Sequence, residues 1–247
     1  MNEGSRPLWQ NIRLWMGFGF FLMVMASLVW VGLNLAQWLE DEQRVPLKRI
    51  LIGGERRFLQ DDDIRFAVRR GLSGSFIELD VDQAHADIEA LPWVHSASIR
   101  KEWPDTLRVY VVEQRPVARW HDDMLLNSLG DSFQAITPAA LTQLPILFGP
   151  GGSERTALEG YRSMQGLLQG SGLQIVELSL SERFAWQVRL QNGINLNLGR
   201  TEFMSRLQRF IDVYPLLKRN KKQVNYVDLR YDTGLAVGWQ QEQQNKN

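Results

Sequence analysis

The sequence predicts an α+β chain carrying a single N-terminal transmembrane helix, and three observations predict it. No charged residue stands between Arg13 and Glu40. The segment after it orders its periodicities as strand, helix, helix, strand, strand. Beyond Pro116 the apolar residues fall into short runs broken by Asp, Gly and Pro, which predicts a β-rich half with flanking helices.

The charge-free segment holds ten Leu, Phe or Val residues between Leu14 and Leu33. At roughly −0.3 to −0.6 kcal/mol each they favour insertion by about 3–6 kcal/mol. A cleaved signal peptide has a shorter apolar core and a small-x-small cleavage site, and Asn34 spoils that pattern before Ala36. Trp15 and Trp38 stand where interfacial aromatics lie. Arg6 and Arg13 precede the helix, whereas Glu40, Asp41 and Glu42 follow it. This bias predicts a cytoplasmic N-terminus and a C-terminus across the membrane. The expected divisions are a head over 1–13, the transmembrane helix over 14–38, a first block over 45–115, a β-rich domain over 116–239 and a disordered polar tail over 240–247.

In the first block, Lys48–Ile52 reads as a strand ended by Gly53-Gly54. Asp61-Asp62-Asp63 complements the dipole of a helix whose stripe is Ile64, Phe66, Ala67 and Leu72. Val81, Ala84, Ile88 and Leu91 mark a second helix, closed by Pro92. Val94–Arg100 alternates, Pro104-Asp105 turns, and Leu107–Val112 is strongly β-forming. In the second half, Ala118–Trp120, Met124–Leu126 and Phe133–Ile136 are short strands, and Ser153 is expected to cap a helix reaching Gly170. Ile175–Leu180, Trp186–Leu190 and Ile194–Leu198 form a meander with an Asn192-Gly193 turn. A helix with Phe203, Leu207, Phe210 and Tyr214 on one face carries Arg206, Arg209 and Lys218 on the other. Tyr226–Tyr231 and Leu235–Trp239 are the last strands, joined by Asp232-Thr233-Gly234 with Gly234 left-handed.

Lys plus Arg and Asp plus Glu both number 28, so no net field draws nucleic acid. The absence of Cys removes disulfides, thiolate metal sites and cysteine nucleophiles. No Asn-x-Ser/Thr sequon occurs, which favours a bacterial envelope. Gly149-Pro150-Gly151-Gly152-Ser153 lacks the lysine of a phosphate loop, and Gly71–Ser75 follows a helix, unlike a nucleophile elbow. His85, His95 and His121 lack metal-ligand spacing. Asp232-Thr233-Gly234 is the tripeptide of aspartic proteases, and a membrane-anchored periplasmic hydrolase is the alternative reading. That chemistry needs a second carboxylate sharing a proton, and no second such tripeptide is present. No catalytic residue, metal or cofactor is expected.

The first block resembles a POTRA domain through Gly74-Ser75-Phe76, Leu91-Pro92-Trp93-Val94, Ile99–Leu107 and Val112-Glu113-Gln114-Arg115-Pro116-Val117-Ala118-Arg119-Trp120. Asn195–Arg200 and Tyr226–Trp239 resemble the β-domain of the FtsQ/DivIB family of bacterial division proteins, gammaproteobacterial type. Gly54-Glu55, where Gly-Asn is usual, and Leu59-Gln60-Asp61, where a Ser/Thr cap is usual, depart from the pattern. The resemblance implies a bitopic inner-membrane protein of the division septum. It would be a non-enzymatic scaffold that binds FtsB, and with it FtsL, through the last strand, and meets other divisome proteins through the POTRA domain. The residues implied are Tyr226, Arg230, Tyr231, Thr233, Gly234, Leu235, Ala236, Val237, Gly238 and Trp239. Independently, Leu235–Trp239 is short, late in the chain and followed by a polar tail, so one edge is expected to lack a strand and to accept one. Small Ala236 and Gly238 are expected to let another backbone approach, and Arg230 to meet an acidic partner residue.

Overall fold

The computed structural model describes residues 8–40, 46–71, 76–220 and 222–240, with the side chains of 15–34 described within the first helix. Helix α1 spans Leu8–Glu40. It starts inside the expected head, because nothing between Leu8 and Arg13 breaks a helix. Its apolar stretch Trp15–Asn34 is 20 residues long with no part buried, and at about 1.5 Å per residue it covers about 30 Å. That fits a single-pass membrane protein. The polar residues 41–45, the Gly74-Ser75 pair and the tail after Gln240 lie outside the described residues.

The chain divides into two compact units, Met1–Glu113 and Gln114–Asn247. After α1 the first holds β1 (Arg49–Gly53), α2 (Asp61–Arg70), α3 (Val81–Glu89), β2 (Val94–Glu102) and β3 (Thr106–Glu113), with sheet order β1-β3-β2. β3 pairs β1 in parallel and β2 antiparallel. Asp80 caps α3 by accepting from the N–H groups of Asp82 and Gln83, both at 3.0 Å. The core of this unit gathers Ile64, Ala67, Val68, Phe76, Ile88, Leu107, Val109 and Val111.

Two expectations fail here. Phe66 is 65% exposed under the Arg70 guanidinium, and Val68 takes its place in the core. The simple alternation of β2 is interrupted by a bulge between Val94 and Ser96, so Val94 shares the core with Ala97 and Ile99. The Glu113 carboxylate accepts from the N–H groups of Arg57 (2.7 Å), Phe58 (2.6 Å) and Leu59 (2.6 Å), tying down the segment after β1. Gly54, at φ +108°, lies against the Val111 carbonyl where a side chain would collide.

Among its described residues the second unit holds one nine-stranded mixed sheet with two α-helices. In chain order it holds β4 (Pro116–Trp120), β5 (Met124–Asn127), β6 (Ser132–Phe133), β7 (Ile146–Phe148) and α4 (Glu154–Leu168). There follow β8 (Ile175–Leu180), β9 (Trp186–Leu190), β10 (Asn195–Gly199), α5 (Phe203–Leu217), β11 (Val224–Asp228) and β12 (Ala236–Trp239). The sheet order is β12-β11-β10-β9-β8-β7-β4-β5-β6. α4 packs on β7, β8 and α5, and α5 on β10, so both helices share one face. Leu158, Met164, Leu178, Val188, Leu196, Leu198, Leu207, Phe210 and Val227 fill the layer between.

β8, β9 and β10 form the expected meander, with Gly193 at φ +85° in its turn. β7, only three residues, carried no sequence signal of its own. The strand expected at Phe133–Ile136 is Ser132–Phe133, and Ile136 is 91% exposed. Ser153 is buried, but its hydroxyl donates to the Pro150 carbonyl (2.6 Å) and does not cap α4. Arg206, placed by periodicity on the outer face of α5, is 8% exposed. Its Nη1 donates to the Leu198 carbonyl at 2.8 Å, which satisfies the buried charge locally.

Candidate functional site

β12 lies at one end of the large sheet and, among the described residues, pairs with β11 alone. Its free side can be assigned residue by residue. The Leu229 N–H donates to the Asn197 carbonyl of β10 at 2.9 Å. Main-chain groups alternate sides along a strand, so Val227 also faces β10 while Tyr226 and Asp228 face β12. Gly238 and Ala236, opposite Tyr226 and Asp228, therefore direct their N–H and C=O groups to β11. Val237, opposite Val227, turns both outward. The Gln240 N–H donates to Gln223 O at 2.9 Å, so the same alternation leaves Trp239 facing out. No hydrogen bond among the described residues reaches these outward groups of Val237 and Trp239.

Two other sheet edges differ. β6 is two residues long. On β2, the Ala97 N–H donates to Glu89 Oε1 (3.0 Å) and the Ala97 carbonyl meets His85 Nε2 (2.9 Å), so two α3 side chains occupy the edge. That is a known way of blocking unwanted strand pairing. β12 has no such cover among the described residues.

The side chains around this edge gather in one corner, with several departures from the sequence reading. Tyr226, 49% exposed, lays its ring across Gly238, and a Cβ there would come within 2.6 Å of Tyr226 Cζ. The smallness of Gly238 thus serves packing within the chain; it does not leave room for a second backbone on that face. β11 ends at Asp228. Leu229 is buried, and Tyr231, expected on the face of Val227 and Leu229, is 58% exposed in the connection to β12. Arg230 forms a forked pair with Asp228, Nε to Oδ1 at 3.0 Å and Nη2 to Oδ2 at 2.7 Å, so its guanidinium has a partner within the chain. The hydrogen bond from Arg230 holds the Asp228 carboxyl below its ordinary range, against the opposing effect of burial. Gly234 is not left-handed, and the space around its Cα is open. The connection is longer than the expected tight turn, since register resumes only at Ala236, so no residue is forced to positive φ. Thr233, Gly234 and Ala236 are exposed, while Leu235, Val237 and Trp239 are half-buried.

Periodicity places Arg209 on the outer face of α5 but not its partners: its Nη1 donates to the carbonyls of Tyr231 (2.7 Å) and Gly234 (3.0 Å). Asp232 has a side chain 97% exposed and stands 3.9 Å from Arg206. That is a solvated carboxylate beside a cation, opposite in character to an acid–acid pair sharing a proton.

Comparison with known proteins gives this architecture a family. Residues 45–114 match the FtsQ-type POTRA domain, and residues 118–230 match the C-terminal domain of cell division protein FtsQ/DivIB. The second match ends at Arg230, before β12. The chain is 44% identical to cell division protein FtsQ of Shewanella oneidensis over 229 residues, covering 93% of this chain and 87% of that protein. It is 40% identical to FtsQ of Escherichia coli over 230 residues, covering 90% and 83%. It is also 36% identical to FtsQ of Vibrio cholerae, covering 92% and 88%. With an apolar helix, a POTRA unit and a β-rich unit in that order, the chain belongs to the FtsQ/DivIB family of bacterial cell division proteins.

Proposed function

We propose that this protein is a non-enzymatic divisome scaffold. Its β-rich unit receives a strand of FtsB, and with it FtsL, on the outer edge of β12, linking early and late division proteins at the septum. The observation that carries the reading is the outward pair of main-chain groups on Val237 and Trp239, unprotected where β2 is capped. An added strand gains its affinity from these groups and its specificity from the side chains beside them. Trp239, Tyr231 and Leu235 offer apolar contacts, and aromatic residues commonly dominate such interfaces. Tyr226, Ala236 and Gly238 form the face next to the edge, and Thr233 and Gly234 form its approach. Arg230 meets a partner carboxylate only by sharing its fork with Asp228.

The POTRA unit is proposed to contact other divisome proteins. The chain is placed in the inner membrane with its N-terminus cytoplasmic and both units in the periplasm, on the bias of Arg6 and Arg13 against Glu40, Asp41 and Glu42. Site-specific photo-crosslinking tests the edge. A photoreactive residue replacing Ala236 in the full chain should capture FtsB in membranes, whereas one replacing Gln134, beyond β6 at the far end of the sheet, should not. Capture from Gln134 without capture from Ala236 would move the interface elsewhere.

A further inference from the structure

We infer that Arg209 of α5 is the positioning residue of the β12 edge, a role that rests on the strand-addition reading. The connection from β11 to β12 runs from Leu229 to Leu235. Its ends are held by apolar packing, with Leu229 buried and Leu235 against the core. Between them Arg230–Gly234 is exposed and contributes no rung to the sheet. Beside the side-chain ties of Arg230 to Asp228 and of Asp232 to Arg206, Arg209 supplies the restraint on the main chain by bridging the Tyr231 and Gly234 carbonyls. Among the described residues it has no carboxylate partner, so its guanidinium acts on main chain. The helix beneath is itself fixed, since Leu207 and Phe210 are fully buried and Arg206 bonds the Leu198 carbonyl of β10. Arg209 therefore ties an irregular loop to a rigid support two residues before the edge begins.

An edge fed by a free loop samples many orientations, and a partner strand must then order it on binding. The clasp does that ordering in the unbound chain. Lys carries the charge, but its ammonium sits on a flexible, strongly hydrated stem and lacks the fixed planar direction in which Nη1 holds its two N–H groups on the Tyr231 and Gly234 carbonyls. It should restore the function only in part.

The test uses the full chain in detergent micelles. FtsB affinity is measured by biolayer interferometry, and hydrogen exchange over 229–239 is measured in the unbound protein. Arg209→Ala should weaken binding about tenfold, equivalent to about 1.4 kcal/mol, and accelerate exchange across that segment. Arg209→Lys should fall between on both readouts. Unchanged affinity would overturn the inference. So would weakened affinity with unchanged exchange, because Arg209 would then be touching the partner itself. Should Arg209→Ala not fold, Arg209→Lys is judged by the same pair of readouts. Val237→Pro separates the two levels: if it binds normally, the strand-addition reading falls. If it fails to bind while Arg209→Ala binds normally, only the clasp falls.

Discussion

Proline at Val237 removes one outward N–H and leaves the pairing of β12 with β11 untouched, because Gly238 and Ala236 carry that pairing. A strand docked on this edge would lose one hydrogen bond, worth about 0.5–1.5 kcal/mol net. It would also bury a carbonyl with no donor, at about 1–3 kcal/mol. The sum of about 1.5–4.5 kcal/mol weakens binding by roughly 10- to 2,000-fold. The cost to the fold is small by comparison. Proline is tolerated on an edge strand whose N–H faces solvent. Exchanging a half-buried branched Val side chain for the pyrrolidine ring loses about 0.5–1 kcal/mol of packing, or about 1–4 °C in Tm for a chain of this size. Titration of the full chain with FtsB should therefore show a large affinity loss alongside a nearly normal melt by circular dichroism. Val237→Ala, which keeps the N–H, should bind within a few-fold of the parent. A Val237→Pro protein that folds and binds FtsB with unchanged affinity refutes the reasoning, since no strand can then be pairing with this residue.

Three further outcomes follow from the geometry. Glu113→Ala strips the acceptor from three N–H groups and should destabilise the first unit by about 2–4 kcal/mol; a melt within 2 °C of the parent would show those bonds to be dispensable. Replacing both His85 and Glu89 by Ala uncovers β2, so the Ala97 amide should exchange faster and the full chain should self-associate by sedimentation velocity. Unchanged values on both measurements would count against a guarding role. The lowered pKa of Asp228 contributes stability that is fully present above the unfolded value of about 3.9 and is lost as pH falls through the folded value. The Tm gap between parent and Asp228→Asn should thus be constant near neutrality and shrink below about pH 4; a gap that persists in acid would assign the effect to something other than ionisation.

What the sequence made legible was the part written in side-chain chemistry repeated over several residues. The charge gap marked α1, the Asn192-Gly193 turn marked the meander, and the 3–4 spacing of Val81, Ala84 and Ile88 marked α3. Several failures concern single side chains whose actual partner periodicity does not reveal. Arg206 counts as an outer-face cation until Leu198 is seen to accept from it, and Ser153 counts as a cap until its hydroxyl turns back to Pro150. Gly238 suggests an open approach until the ring of Tyr226 fills the space above it.

The candidate edge shows most clearly where pattern stops. Alternation groups Leu235, Val237 and Trp239 on one face, and that much can be read from residue types. Whether their N–H groups point inward or outward is fixed by a different neighbour. β10 pairs β11 in parallel through the crossover of α5, and the Leu229–Asn197 bond sets which residues of β11 remain for β12. Moving that register by one residue would turn Ala236 and Gly238 outward in place of Val237 and Trp239. A strand at the end of the sheet can therefore be expected from its sequence, but which of its main-chain groups point outward is set by a pairing two strands away.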